Sequence, residues 1–195
     1  MSKLLLRFAV LLSLPMLALA QAVTPPHAFS GTIVSVAGNT VTLQDTDGKN
    51  FTVEMTPGWT VSVNRKGTAA DIKPGEFVAT QNVPVDDNTG KSIEVRVLEP
   101  GYEPEHGTHA VSATNPNMMT HGSVKSVSKT ADGVELEITY PSGSRRIFVG
   151  ADVPITVSDP LDKSALKPGT QVSGVTRPGP DGVARASRLQ PAGKP

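Results

Sequence analysis

Two short stretches, Asp71-Ile72-Lys73-Pro74-Gly75 and Ala165-Leu166-Lys167-Pro168-Gly169, decide how the rest of this chain is read. Each sits between groups of residues that alternate apolar and polar, and Lys73 and Lys167 lie 94 positions apart. A second matched pair lies upstream of each copy: Ser30-Gly31-Thr32-Ile33-Val34-Ser35-Val36 in the first half and His121-Gly122-Ser123-Val124-Lys125-Ser126-Val127 in the second. Gly31 and Gly122 are 91 positions apart, so the two offsets agree to within a few residues and imply an internal duplication.

Around these anchors the first half shows strand signals at 31-36, 40-44, 51-55, 60-63, 76-83 and 92-98. The second half repeats them at 123-127, 134-140, 145-149, 155-157, 171-176 and 183-189. Phe51, Val53 and Met55 oppose Thr52 and Glu54; Ile93, Val95 and Val97 oppose Glu94 and Arg96. A period of two gives each strand one buried and one wet face. Gly38-Asn39, Asp47-Gly48, Asp132-Gly133, Ser142-Gly143 and Asp181-Gly182 are turn sequences that join antiparallel neighbours. The Lys-Pro-Gly stretches allow about one helical turn before Pro-Gly ends it. They read as plugs over the open end of a small barrel, with Ile72 and Leu166 as the buried contacts.

A run of strands, a plug and two more strands is the order of a small Greek-key barrel of the OB type. The expected class is all-β, two tandem OB-like barrels at 30-99 and 121-190. A signal peptide (1-20) and an extended lead-in (21-29) precede them, a His/Met-containing linker (100-120) joins them, and a tail (191-195) follows. Limited proteolysis is expected to cut at 100-118 and leave two compact units. The opening Gly-x-Ile/Val-x-x-Val, the Leu/Ile-Lys-Pro-Gly turn and the closing Asp181-Gly182-Val183-Ala184-Arg185-Ala186 resemble an uncharacterised bacterial family of secreted, often duplicated, OB-like β-domains. The resemblance covers most of the chain after the signal and is closer in the second half; it implies the fold and says little of activity.

Lys3 and Arg7 accompany an apolar run from Leu4 to Leu19 that ends Ala18-Leu19-Ala20, the pattern of a cleaved secretory signal. The mature chain is expected to start at Gln21 in the periplasm, because Arg7, Ser13 and Pro15 interrupt the run well below the ~20 apolar residues of a span. The chain has no cysteine, which excludes disulfides and a lipid anchor on a thiol. Without Lys3 and Arg7 the 18 basic residues become 16 against 18 acidic, so no field marks nucleic acid or an anionic membrane as a partner.

Three of the four histidines, His106, His109 and His121, fall in or beside the join, with Met118, Met119, Glu103 and Glu105. Imidazole with thioether suits copper, and imidazole with carboxylate suits zinc or nickel. The same stretch is rich in Pro, Gly and Asn, as a solvated linker is. Trp59 is either a stacking residue on a barrel rim or a cap on the core. Arg145 and Arg146, with Arg177, Arg185 and Arg188, form either a basic face for an anionic partner or ordinary solvation. Gly143-Ser144-Arg145 follows a turn and is no nucleophile elbow, and the turn aspartates lack the spacing of a calcium loop. The reading is a non-enzymatic periplasmic binding or scaffolding protein with an envelope protein or glycan partner and no cofactor. The alternative is copper or zinc handling on the His/Met segment.

Overall fold

A computed structural model describes residues 26–192 of the 195-residue chain. The expected signal at 1-20, the start at Gln21 and the last three residues of the tail lie outside the described residues. The fold is all-β: β1 (His27–Ala37), β2 (Thr40–Gln44), β3 (Asn50–Lys66), β4 (Phe77–Asp86), β5 (Thr89–Val97) and β6 (Gly107–Ser112) come first. β7 (Asn115–Thr130), β8 (Gly133–Tyr140), β9 (Gly143–Gly150), β10 (Ile155–Leu161), β11 (Gln171–Pro178) and β12 (Ala184–Pro191) follow. Single 3-10 turns at Ala69–Asp71 and Lys163–Ala165 occupy the two expected plugs. Each is held by a carboxylate: Thr68 donates its backbone N–H and its hydroxyl to Asp71, and Asp162 accepts from the Ser164 amide at 2.7 Å. No helix among the described residues is long and apolar enough to cross a membrane.

The strands close on themselves. β1 pairs β2, β2 pairs β3, β3 runs parallel to β12, β12 pairs β11, and β11 returns to β1, giving a closed five-stranded barrel. A second cycle of pairings runs β4–β7–β8–β9–β5 and back to β4, again with one parallel contact, β5 to β9. β10 lies between the two, antiparallel to β3 and parallel to β5, and β6 adds to the outer side of β7.

This corrects the tandem arrangement. Neither ring is built from a contiguous half: the first takes β1–β3 from residues 30-99 and β11–β12 from 121-190, and the second takes β7–β9 and β4–β5. The plugs follow the exchange. Ile72 packs with Val78, Val95, Val124, Leu136 and Ile147 in the second ring, whereas Leu166 packs with Ile33, Leu43, Val61, Val172 and Leu189 in the first. The physical reason is that alternation records which side of a strand is dry and carries nothing about which of the two rings supplies the dry interior.

Two local differences have equally specific causes. The signals at 51-55 and 60-63 belong to one strand, β3, which passes through Pro57-Gly58 with Gly58 at φ 75°, a conformation open to glycine. Ile93, expected inside with Val95 and Val97, is 42% exposed. The β4–β5 ladder slips between Gln81 and Asn82, whose partners are Glu94 and Ser92, so Ile93 is the unpaired residue of a bulge and turns outward.

Candidate metal centre

The segment expected to be a linker is mostly strand. β6 and β7 form a hairpin whose register sets Gly107 against His121, Thr108 against Thr120, His109 against Met119 and Ala110 against Met118. Its turn uses side chains where a glycine would be usual: the Asn115 amide donates to the Ser112 hydroxyl at 3.1 Å, and the Asn117 amide to Asn115 Oδ1 at 3.0 Å. Pro116 follows the turn where the ladder is irregular, a place that tolerates a missing N–H.

Directly opposed residues of an antiparallel pair share a face. His109, Met119 and His121 therefore lie on one side of the hairpin, and alternation turns Met118 to the other. The rings of His109 and His121 stack with centroids 5.8 Å apart and planes 10° from parallel. Glu105, just before β6, reaches both: its carboxylate oxygens stand 3.6 Å from His109 Nδ1 and 3.9 Å from His121 Nδ1. The three ligand atoms lie within 4.8 Å of one another. His106 is not part of this group; it points to Glu103, at 3.2 Å, and sets its ring edge against Phe77.

Burial differs sharply within the trio. Glu105 and His109 are exposed, whereas the His121 side chain is 12% exposed and its Nδ1 is buried with no hydrogen-bond partner. At 3.9 Å the Glu105 oxygen is too far to accept a hydrogen bond from it. Burial pushes the His121 pKa down, against the pull of the Glu105 carboxylate, and the positive charges of His109, Arg177 and His106 add to the fall. The imidazole is therefore neutral, with a lone pair free, to lower pH than an ordinary histidine. A tetrahedral zinc with ligands at about 2.0–2.1 Å holds neighbouring ligand atoms about 3.4 Å apart. Glu105, which lies outside any strand, already stands close to that spacing from both nitrogens, at 3.6 and 3.9 Å.

The other candidate residues are placed elsewhere. Trp59 is buried in the core of the first ring, with the Lys163 ammonium 4.1 Å above its ring, so it caps a core and is no exposed stacking platform. Arg145 is 5% exposed, on the inward side of β9 with Ile147 and Val149. Its guanidinium donates to the carbonyls of Asp87 at 2.8 Å and Thr89 at 2.9 Å, which ties down the β4–β5 hairpin. Arg146 is the exposed one of the pair. Arg145→Met is expected to lower stability by about 1.5–3 kcal/mol, since charged donors to carbonyls are lost, and Arg146→Met to change it by less than about 0.5 kcal/mol. Thermal unfolding of the two variants separates a structural arginine from a surface one.

Sequence reading also passed over a buried ion pair. Glu99, 1% exposed, accepts from Arg188 Nη1 at 2.9 Å and from the Thr60 hydroxyl at 3.2 Å, and the Arg188 guanidinium stacks 4.1 Å over Tyr102. This contact fastens the start of the 99–106 connection to β12 of the first ring. Nothing in the local pattern around Leu98-Glu99-Pro100 distinguishes this carboxylate from a surface one.

No family model matches this chain, and no curated protein or solved structure matches it.

Proposed function

We propose that this chain is a non-enzymatic binding protein of the cell envelope that holds a zinc or copper(II) ion on Glu105, His109 and His121. The observation that carries the reading is the meeting of three ligand atoms within 4.8 Å around a buried His121 nitrogen that has no other partner. Two imidazoles and a carboxylate are a borderline donor set that suits these ions, and they leave a fourth position open. Met119 is opposite His109 on the same face, and use of its thioether would favour copper. The two rings, read as OB-type barrels with exchanged strands, are the scaffold that presents the site to an envelope protein or glycan. The apolar start of the chain, read as a secretory signal, directs the protein to the periplasm, where cytosolic thiols do not compete for the ion.

Calorimetric titration of the protein with Zn(II) and Cu(II), beside His109→Ala and His121→Ala, is the test. Outer-shell partners of metal ligands alone are worth about 10–100-fold in affinity, so losing a direct ligand is expected to exceed that. His106→Ala and Met118→Ala are expected to bind as the parent does. Affinity is expected to fall as the pH falls and protons compete for the imidazoles. Equal affinity in the parent and the two histidine variants would rule out the site.

A further inference from the structure

We infer that the two halves of this chain are reciprocal partners, so that the fold is a fused, strand-exchanged dimer of one module. The surface that each half offers then fits one kind of partner: the complementary half, from its own chain or from a second copy.

The register of the pairings carries this. Shifted by the 94 positions that separate Lys73 from Lys167, the parallel contact of Leu189 with Val61 becomes that of Val95 with Ile155; both are present. The amide of Gly75 donates to the Val124 carbonyl at 2.8 Å, and the amide of Gly169 to that of Ile33 at 2.9 Å. Val124 donates back to Glu76, and Ile33 to Thr170, both at 2.8 Å. In each case one half reaches the other through the same positions.

The antiparallel pairing of β3 with β10 locates the axis. Its central partners, Asn64 and Ser158, are equivalent to each other under the same shift, and the Ser158 hydroxyl donates to Asn64 Oδ1 at 2.8 Å. Next to them, Arg65 and Asp159 are again equivalent positions, and they form an ion pair at 2.7 Å. A contact in which a surface meets its own equivalent is isologous, the hallmark of a two-fold dimer. The exchanged unit is a plug with its two following strands, and its burial is complete only in the other half: Ile72 is 3% exposed in the second ring and Leu166 7% in the first.

Among the described residues, β6 and the Glu99–Arg188 pair have no counterparts under the shift. Glu99 and β6 belong to the connection between the halves, which runs from Leu98 to Thr114. The exchange therefore stands apart from the metal reading.

A protease site inserted between the exposed Pro100 and Gly101 gives the test. After cleavage the two pieces are expected to elute together at the mass of the intact chain, with an unfolding midpoint that now rises with concentration. Two cleaved pools with different tags, mixed in urea and refolded, are expected to yield hybrids carrying both tags. Native elution as two separate folded pieces, or refolding without hybrids, would overturn the inference. Hydrogen exchange of the uncut chain gives an independent reading should the insertion disturb folding. β4–β5 amides are expected to open together with β7–β9, and the proposal fails if they open with β1–β3.

Discussion

Arg188→Ala is expected to cost about 3–5 kcal/mol of unfolding free energy, because it leaves the Glu99 carboxylate buried with the Thr60 hydroxyl as its remaining partner. The loss comes from the charge left behind more than from the attraction removed. Taking a carboxylate out of water is costly, and a good ion pair in the interior offsets that cost without necessarily exceeding it. Replacing both partners together, Glu99→Leu with Arg188→Leu, is accordingly expected to restore most of the loss. Urea unfolding of the parent, the single and the double variant reads both effects. A single-variant loss below about 1 kcal/mol would place the Glu99 carboxylate in contact with water.

Ile72→Ala and Leu166→Ala are each expected to cost about 2–4 kcal/mol, since each removes the apolar side chain by which a plug closes a small core. The exposed lysines that follow, Lys73 and Lys167, are expected to tolerate alanine with little change. The exchanged topology adds a demand that a tandem pair of barrels would not meet. Ile72→Ala should speed hydrogen exchange in β7–β9, far along the chain, and leave β1–β3 comparatively protected. Leu166→Ala should do the reverse. Losses confined to the sequence-adjacent strands would mean that the plugs sit in the other cores.

Most strands, the turns and both plugs were legible in the sequence, because each depends on a few neighbouring residues. Phe51 to Met55 and Val134 to Ile138 alternate as strands with one dry face, and Asp132-Gly133 closes the hairpin between β7 and β8. The exchange was not legible. Val95 and Val97 present the same pattern whether their strand closes one ring or the other, and only contacts between distant segments decide it. β6 escaped notice for a different reason: Gly107 to Ser112 is short, exposed along most of its length and flanked by Pro104 and Pro116, which is also how a linker reads. The histidine cluster was visible as composition. What composition could not separate was His121 and His109, which the hairpin stacks with Glu105, from His106 and Met118, which it turns elsewhere.

Both ends of the described chain belong to the same ring. β1 begins at His27 against Thr176, and β12 finishes at Pro191 against Val172, so β11 is clasped between the first strand and the last. Tension applied through the two ends therefore loads the first ring in shear along β11. The second ring, which contains neither end of the described chain, receives that load through β3, β10, the plugs and the Glu99–Arg188 pair. Under such a load the ring that carries the histidine hairpin would still be closed when the ring holding both described ends had opened.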